Sequence, residues 1–586
     1  MSYPSPPLRE LRFILHELLQ ADAMLKALPR YEQLDAQILD AALTEFSQFA
    51  GETLAPLDAL ADQVGCTWAG GEVTTPPGFK AAWQAYKELG WPLLCADMEI
   101  GGHQLPRLLF SMTSEFTAFA SHAFVMIAAV NHCAAACLRK SASKPLRDRW
   151  LPALASGEVL SSMCMSEPAA GSDLGLIQSR ATLDTDGTYR INGSKIFASG
   201  AEHDLTPSIL HLVLARLPDS PGGTRGLSLF LVPKLTDQGA PNGVHCDGLE
   251  HKMGLHGSPT CSLRFDQAQG WLVGAPHEGL LALFPMMNEA RLLSALQAIG
   301  ISEKALQKSH NYALERRQGR SAEGVAPCRL VDHPDVERML LAQRAWTEGG
   351  RALTHWTATL IDDLECHPDH AVRSEASELL ELLTPIAKGF LTENAQFSTS
   401  LALQVFGGHG YVRETGIEQL VRDVRITTIY EGTTGIQAQD LLIRKIIKSE
   451  GGRFQTFERY ILRWLEKTQD LPQLQQFAQP LRSLLERTKA VTCELISQAP
   501  MQHRRVLGGC TNYLRLIGHL ALAFTWTRIA HTVLTRASPT DGWYALKLET
   551  ARFYFSQLMP ETLALEQSIL AETADARDLL TLATEN

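Results

Sequence analysis

The hydrophobic period of this chain changes twice, and the resulting order of elements restricts the folds available to it. In LDAQILDAALTEFSQFAGETLAPL, apolar residues recur three and four positions apart, as in an amphipathic helix. The segments ILHLVLARL, GLSLFLVPK and CSLRFDQAQGWLVG are short, apolar and strand-favouring, and Gly, Pro and Asp clusters separate them. The helical period returns with EGLLALFPMMNEARLLSALQAIG and continues onward. This order predicts a mainly α protein with a central β-domain.

These changes divide the 586 residues into four predicted regions. The change near Ser161 ends the first helical region, and KSEGG has the composition of a linker. A further helical unit without an obvious catalytic cluster follows that linker. We expect an N-terminal extension and helical domain at 1–158 and a middle β-domain at 159–280. A helical bundle with a candidate base should follow at 281–450, and a C-terminal helical domain at 453–586.

Composition and charge argue against several broad classes of function. The net charge of -11 opposes a general attraction to nucleic acid. The 11 cysteines are scattered and form no CxxC pair, which indicates reduced thiols and a cytoplasmic protein. The opening MSYPSPPLRELRFILHELLQ has early acids and no basic region before an apolar run, unlike a signal peptide.

The most membrane-like run is FVMIAAVNHCAAACL, at 124–138. It contains Asn131 and His132, and it is shorter than the ~20 apolar residues that span a bilayer. We therefore predict a buried core helix here, and no integral membrane segment.

One acid stands in the otherwise neutral stretch TTIYEGTTGIQAQDLL. Glu431 lies between Tyr430 and Gly432, at the start of an apolar, helix-compatible run. A carboxylate there could simply favour a helix N-terminus through the macrodipole. It could instead be a catalytic base, because shielding from water raises the pKa of a glutamate and strengthens it as a base.

Two segments have the composition of a site for a flat or phosphorylated ligand. In MCMSEPAAGSDLGLIQSRA, small residues would let a ligand approach the backbone, although a β-turn at Pro168 and Gly171 explains them as well. In INGSKIFASGAEHDL, Phe197 and Ser199 could share one face of a strand. An aromatic ring beside a hydroxyl suits a heteroaromatic ligand, and a core phenylalanine is the commoner explanation.

Two further segments combine charge or glycine with a predicted helix end. YALERRQGRS places three arginines within five positions, either as a solvated helix terminus or as a pyrophosphate clamp. The glycines of LQVFGGHGYVRETG permit close approach of another chain or ligand, and His409 among them is more often a structural than a catalytic residue. HPDH contains possible metal ligands, but its proline prevents a helical histidine pair, so we predict no metal site.

Together and in this order, these segments resemble the acyl-CoA dehydrogenase family. MCMSEPAAGSD is similar to the flavin-binding signature of that family, and RDVRITTIYEGTTGIQ to the signature that carries its base. SKIFASG, ALERRQG and QVFGGHGY add to the resemblance, which covers essentially the whole chain. PLRELRFILHELL, KMGLHGSPTC, FPMMNEAR and the C-terminal helical unit are similar to the long, extended branch of the family.

The resemblance implies the chemistry of an FAD-dependent dehydrogenase. FAD would be bound without a covalent link at the interface of a homodimer. An acyl-CoA would be oxidised to the trans-2-enoyl-CoA, with Glu431 abstracting the α-proton and hydride passing to flavin N5. Electrons would then leave to electron-transferring flavoprotein. A thioester α-proton is very weakly acidic, so a base in contact and donors to the enolate oxygen are both needed.

The resemblance also assigns roles to individual positions. Glu431 would be the catalytic base, and Arg291 precedes Arg316 by 25 positions, which is the family spacing. Arg316, with Gln318 and the glycine segment, would reach the FAD of the facing subunit. The implied cofactor-binding residues are Met163, Ser166, Gly171, Ser172, Phe197, Ala198, Ser199, Arg316, Gln318, Gln404, Gly407, Gly408, Thr433 and Gly435. The implied substrate-binding residues are Ser172, Asn288, Arg291 and Gly432.

Some positions depart from the family pattern. Phe197 stands where many members have tryptophan, and Gly435 replaces a glutamine of the medium-chain type. Some members carry the base directly before the CoA arginine, but that position is Ala290 here. Glu289 is a second candidate for the base, although it should point about 100° away from that position on a helix.

Three alternatives remain open at this stage. An acyl-CoA oxidase would give its electrons to oxygen instead. A diverged FAD-binding relative could associate with nucleic acid, although the nearly balanced charge after residue 453 argues against this. The C-terminal unit could have a purely structural role. IGGHQLP resembles the segment beside the family's acyl channel, with Met98 where proline is frequent. Straight, branched, aromatic and sulfur-containing acyl groups all remain possible.

Overall fold

The structure is a computed structural model that describes residues 4–536 and 541–571. The remainder of the predicted C-terminal region, at 537–540 and 572–586, lies outside the described residues.

Some helices begin at a residue whose side chain caps the first turn. For example, the Asp35 carboxylate accepts a hydrogen bond from the N–H of Ile38 at 2.9 Å. The helices before the main sheet are α1 Leu8–Arg12, α2 Ala21–Lys26, α3 Ala36–Phe49, α4 Ala55–Val64, α5 Phe79–Glu88, α6 Arg107–Ala120, α7 His122–Ser141 and α8 Lys144–Ser156. A hairpin of β1 Thr67–Ala69 and β2 Glu72–Thr74 separates α4 from α5.

The middle of the chain forms a sheet that closes on itself. Its strands are β3 Leu160–Cys164, β4 Arg180–Leu183, β5 Tyr189–Ser199, β6 Ile209–Arg216, β7 Leu227–Pro233, β8 Val244–Leu249 and β9 Thr260–Val273. Strand β6 pairs with β7, β7 with β9, β9 with β5, and β5 with β4. Strand β4 also pairs with β6, which closes the sheet. Strand β3 adds to β6, and β8 adds to β9. Nearly every residue of β6 and β7 is buried, which explains their continuous apolar sequences.

Long helices follow the sheet. They are α9 Gly279–Glu315, α10 Pro334–Cys366, α11 His370–Phe406, α12 Ile417–Arg425 and α13 Thr434–Gln439. Helix α9 packs against α6, α7 and α10, so one element contributes to several layers of the core. Later helices are α14 Gly452–Lys467, α15 Gln475–Gln498, α16 His503–Leu534, α17 Gly542–Phe553 and α18 Glu561–Leu570. Short π-helical segments lie at Phe13–Leu18, Ala50–Leu54, Asp440–Ile446 and Tyr554–Leu558. The predicted mainly α fold with a central β-domain is confirmed.

Contacts divide the described chain into two compact units. The main unit contains the residues up to Arg373 together with 391–433. The C-terminal unit contains 374–390 and the described residues from Thr434 onward. Helix α11 therefore contributes 374–390 to the C-terminal unit, whereas its first four residues and 391–406 belong to the main unit.

Helix α7 has the length and apolar composition of a membrane span, but it is a core element of the main unit. Of its most apolar window, 67% is buried inside the protein. It packs against α6, α8, α9 and β3. A core helix of a folded domain is apolar for the same reason as a membrane helix, namely the absence of water around it.

A buried ionic network joins the helices of the main unit. The Arg351 guanidinium of α10 is completely buried and donates to Glu115 of α6 at 2.7 Å and to Glu303 of α9 at 2.8 Å. Glu115 also contacts His355 Nε2 at 2.8 Å, and Ser111 contacts the other ring nitrogen. Although burial raises the pKa of Glu115, the charge of Arg351 lowers it overall, so this carboxylate is ionised.

We expect Arg351→Met to destabilise the main unit by about 3–5 kcal/mol, because Glu115 and Glu303 would become buried charges without their partner. Urea unfolding followed by tryptophan fluorescence measures this loss. Arg338→Met on the same helix is the matched control, since its pair with Asp335 is half exposed and should contribute less than about 1 kcal/mol. Equal unfolding midpoints for the two variants would contradict the prediction.

Candidate active site

Glu431 lies in a sharp turn. After α12, a 3₁₀ turn at Ile426–Thr428 ends the helical path, and α13 begins only at Thr434. Glu431 and Gly432 both have a left-handed backbone, with φ of 55° and 87°. This backbone conformation is unfavourable for residues other than glycine, asparagine and aspartate. Residues with such strain concentrate at functional sites. Because Glu431 precedes the helix by three residues, a helix-terminus charge is a poor explanation for it.

Helix α9 fixes the residue before the candidate base. The Tyr430 hydroxyl donates a hydrogen bond to Gln297 Oε1, and Gln297 Nε2 donates to Met126 Sδ at 3.3 Å. Gln297 is 3% exposed. Burial, together with the nearby charge of Glu431, raises the pKa of Tyr430, so the phenol stays neutral and donates. The turn that carries the candidate base is therefore attached to α9 through Tyr430.

Glu289, the second candidate, is held in an ion pair. Its carboxylate lies 3.7 Å from the Arg107 guanidinium and 3.8 Å from His132 Nε2. Burial raises the pKa of Glu289, but the positive charge of the Arg107 guanidinium lowers it further, to about 2. A carboxylate of that pKa is a weak proton acceptor near neutral pH, which favours Glu431 as the base.

Both carboxylates act on the same buried thiol. The pKa of Cys133 on α7 is well above its usual value, first because of burial and then because of the charges of Glu289 and Glu431. Helix α7 therefore lies within electrostatic reach of the candidate base.

The two segments expected to line a flavin are adjacent. The N–H of Ile196 in β5 donates to the carbonyl of Ser166 at 2.9 Å. Phe197 has φ of 57° and is 61% exposed. The strand has a bulge between Lys195 and Ala198, and the alanine is buried in the core of the β-domain. Ser199 is partly exposed, so Phe197 and Ser199 face away from that core.

A buried ion pair that the sequence analysis missed holds these segments together. Lys195 Nζ is fully buried and donates to Glu167 Oε1 at 2.8 Å and to the Met165 carbonyl at 3.1 Å. The other donors to Glu167 are the hydroxyl of Ser179, at 2.6 Å, and two backbone N–H groups. The available signal was a lysine directly before the apolar residues Ile196 and Phe197 of β5, downstream of a glutamate in the MCMSEPAAGSD segment.

The segments after α9 and α11 also meet. The Tyr312 ring stacks on Phe406 with centroids 4.2 Å apart, and the Tyr312 hydroxyl contacts His409 Nδ1 at 3.3 Å. This contact supports the structural interpretation of His409. The predicted cofactor contacts on these segments all lie at the surface; they are Arg316, Gln318, Gln404, Gly407 and Gly408.

The remaining predicted residues differ in their surroundings. Arg291 is buried on α9, whereas Asn288, one turn earlier, is exposed. Ser172 is exposed beside Gly171, and Met163 is half-buried in β3. Gly432 and Thr433 are half-buried, and Gly435 is exposed within α13, which belongs to the C-terminal unit. Among the described residues, no cluster of His, Cys, Asp and Glu could hold a metal ion.

A helical domain, a closed β-domain and a helical bundle with a carboxylate in a strained turn define an acyl-CoA dehydrogenase-type oxidoreductase. Family models agree along the chain. The N-terminal domain of acyl-CoA dehydrogenase matches 40–158, the middle domain 162–268 and the C-terminal domain 277–445. A model described as acetyl-CoA dehydrogenase C-terminal like matches 453–579. The chain belongs to the acyl-CoA dehydrogenase family, whose members act on the CH–CH group of acyl-CoA, and the resemblance seen in the sequence is confirmed.

Relatives place it in the long branch of the family. The 3-methylmercaptopropionyl-CoA dehydrogenase of Ruegeria pomeroyi is 37% identical and aligns over 98% of this chain and 99% of its own. The broad-specificity linear acyl-CoA dehydrogenase FadE5 of Mycobacterium tuberculosis is 36% identical over 65% of this chain and 64% of its own. The structure of Caenorhabditis elegans ACDH-11 in complex with C11-CoA has a TM-score of 0.78 at 20% identity, covering 100% of this chain and 96% of that one.

The enzyme is FAD-dependent, as the family is, and its residues fit that cofactor. No atom lies within 4 Å of the place that a Cβ would occupy on Gly171, Gly407 or Gly408, so their backbone is open to a ligand. The exposed ring of Phe197 offers a flat apolar surface beside Ser199. Open glycine backbone suits phosphate and ring contacts, and an aromatic face suits an isoalloxazine.

We expect Lys195→Met to loosen the segments that are predicted to line the flavin, because Glu167 would become a buried charge without its cation. The variant should lose about 3–5 kcal/mol of stability and retain less FAD after gel filtration. FAD absorbance per polypeptide and the thermal midpoint measure both effects. Lys234→Met is the control, since its pair with Glu202 lies in the same β-domain but is more exposed. Normal FAD content in Lys195→Met would contradict this role.

We also expect Gln297→Leu to lower kcat by about tenfold with FAD retained, because Tyr430 would no longer fix the turn that carries Glu431. Steady-state turnover with an accepted acyl-CoA measures the effect. Gln343→Leu removes an equally buried glutamine that contacts Ser309 at 3.1 Å, and it should lower stability without changing kcat. An unchanged kcat in Gln297→Leu would show that this anchor is not needed.

Proposed function

We propose that the protein dehydrogenates an acyl-CoA between the α- and β-carbons to give the trans-2-enoyl-CoA, with Glu431 as the base. The observation that carries this proposal is the geometry of Glu431, a half-buried carboxylate in a strained turn fixed to α9 through Tyr430 and Gln297. Preorganisation of this kind lowers the entropic part of the barrier to proton transfer.

The proton balance follows from the groups present. The Glu431 carboxylate takes the α-proton and becomes neutral, and the electron pair of that C–H bond forms the new double bond. An apolar acyl chain against the carboxylate would exclude water and strengthen the base. When bound, FAD would supply the redox chemistry, namely an acceptor for the hydride of the β-carbon. The backbone N–H of Glu431 is the protein donor for the thioester oxygen, on which negative charge develops.

The other predicted site residues would bind and orient the two ligands. Arg291 suits the CoA side because a guanidinium can bind phosphate oxygens in a fork. Asn288 and Ser172 would contact the substrate, and Gly432 allows the thioester to approach the turn. Met163, Ser166, Gly171, Ser199 and Thr433 would contribute cofactor contacts, as would the exposed Phe197.

The redox partner and the oligomeric state belong to the same proposal. The exposed Arg316, Gln318, Gln404, Gly407 and Gly408 would bind the FAD of the facing subunit, which makes the active form a homodimer. Electrons would pass to electron-transferring flavoprotein, and peroxide formation during turnover would instead show an oxidase. All 11 cysteines lie in the described part of the chain, and each is a free thiol. Free thiols support a cytoplasmic compartment.

We expect Glu431→Gln to lower kcat about 10²–10⁴-fold, because it removes the proton acceptor while keeping nearly the same shape. FAD content should be unchanged, and steady-state and single-turnover rates measure the loss. Glu450→Gln is the control, because Glu450 also has a left-handed backbone, with φ of 51°, but is exposed. Near-normal turnover in Glu431→Gln would exclude it as the base.

The experiment that tests the reaction is an anaerobic titration of the yellow protein with acyl-CoA esters. The panel includes straight, branched, aromatic and sulfur-containing chains. Loss of the flavin absorbance band at ~450 nm with one group of esters would establish α,β-dehydrogenation and identify the substrate class. Retained absorbance with every ester, despite bound FAD, would contradict the proposal.

A further inference from the structure

A small cavity lies among the N-terminal helices of the main unit. Its volume is about 50 Å³, enough for a group of a few non-hydrogen atoms. Most of its lining is apolar, but several buried polar side chains also reach it. The lining residues used below are Ile100, Arg107, Phe110, Asn131, His132 and Ala135.

This cavity adjoins the core beside the candidate active site. Ile100 and Phe110 pack against the buried cluster that contains Cys133, and Met163 of β3 packs against the same cluster. The Cys133 thiol is within electrostatic reach of Glu431. The position is therefore suitable for the far end of an acyl chain.

The charges around the cavity are compensated within the protein. Arg107 pairs with Glu289 at 3.7 Å, and Arg139 pairs with Glu365 at 3.0 Å. Asp97 pairs with Arg30. Burial lowers the pKa of His132, which is consequently neutral. With no net charge to offer, the cavity does not suit a carboxylate or an ammonium group.

Two uncharged hydrogen-bonding atoms at the cavity have no partner in the described part of the chain. Asn131 is 4% exposed; its Nδ2 donates to the Leu154 carbonyl at 2.7 Å, but its Oδ1 has no hydrogen-bond partner among the described residues. His132 Nε2 is 2.6 Å from Arg107 Nη1. Because an arginine can only donate, Nε2 accepts and the ring proton lies on Nδ1, for which the described residues provide no acceptor.

These two atoms are complementary to one kind of chemical group. A hydroxyl can donate to Asn131 Oδ1 and accept from His132 Nδ1–H, whereas a methyl group would leave both atoms unsatisfied. The His132 ring is held in place by stacking on Phe110, with centroids 3.7 Å apart.

We propose that Asn131 and His132 determine substrate specificity, and that they select an acyl chain whose far end carries a neutral group that both donates and accepts hydrogen bonds, a hydroxyl being the simplest. This inference rests on the proposed function, since it names the substrate class of the same site. Sites built to hydrogen-bond a hydroxyl discriminate strongly against the analogue that lacks it.

The test compares pairs of CoA esters of increasing chain length, in which the terminal methyl is replaced by a hydroxyl. The holoenzyme is used, and kcat/KM is measured after anaerobic flavin bleaching has shown which esters react. At the length that reaches the cavity, we expect the hydroxyl ester to exceed its methyl partner in kcat/KM by at least about tenfold.

Two variants and one control assign that preference to the named atoms. Asn131→Leu removes the acceptor, and His132→Phe removes the donor while keeping a ring against Phe110. Each should bring the hydroxyl-to-methyl ratio to about one or below, a change that a merely destabilised protein would not produce. Ala135→Val narrows the cavity without changing its hydrogen-bonding groups, so the preferred chain should shorten while the hydroxyl preference persists.

The outcomes separate the inference from the proposed function. A methyl ester that equals or exceeds its hydroxyl partner at every length in the unmodified enzyme overturns the inference. So does a hydroxyl preference that survives both Asn131→Leu and His132→Phe. If no ester of either series bleaches the flavin, the proposed function fails, and the inference fails with it.

Discussion

The main unit depends on a guanidinium that water does not reach. Arg351 holds α10 against α6 and α9 through Glu115 and Glu303. An ion pair in such surroundings is satisfied in one arrangement only, because a shift of α9 by one turn, about 5.4 Å, would leave each charge buried and unpaired. Helix α9 also carries Arg291 and Gln297, so the network fixes the depth at which these groups reach the candidate active site. Arg351 thus acts on the site through the position of a helix.

Buried polar contacts recur wherever the site requires a defined geometry. Glu167 and Lys195 join the two segments that would line the flavin. Gln297 and Tyr430 hold the turn of the candidate base, and Arg107 holds Glu289. Such pairs add little net stability compared with an apolar core, but they penalise every alternative arrangement strongly. In this protein they set the positions of groups, while the apolar clusters supply the driving force for folding.

Periodicity and motifs predicted the architecture, because both are local properties of a sequence. They could not predict contacts between residues far apart in the chain, such as Tyr430 with Gln297 or Lys195 with Glu167. Ala198 is buried in the core of the β-domain next to a bulge, and a bulge changes the face of a strand without an obvious sequence signal. The motif predicts Glu431 as the base, but the left-handed turn that separates it from α13 is visible only in the backbone. The acyl group remained open because its cavity is formed by several separate helices.

The C-terminal unit is discontinuous, and this has a consequence for how the chain is made. Its segment 374–390 is synthesised well before the helices that belong with it, since α15 and α16 come later in the chain. On the ribosome, apolar residues of that segment that are buried in the folded protein, such as Leu383 and Phe390, stay exposed until the later helices have been synthesised. The two units therefore cannot fold strictly one after the other, as consecutive domains generally do. The nascent protein is exposed to aggregation during that interval, and a chaperone that covers 374–390 would have its greatest effect then.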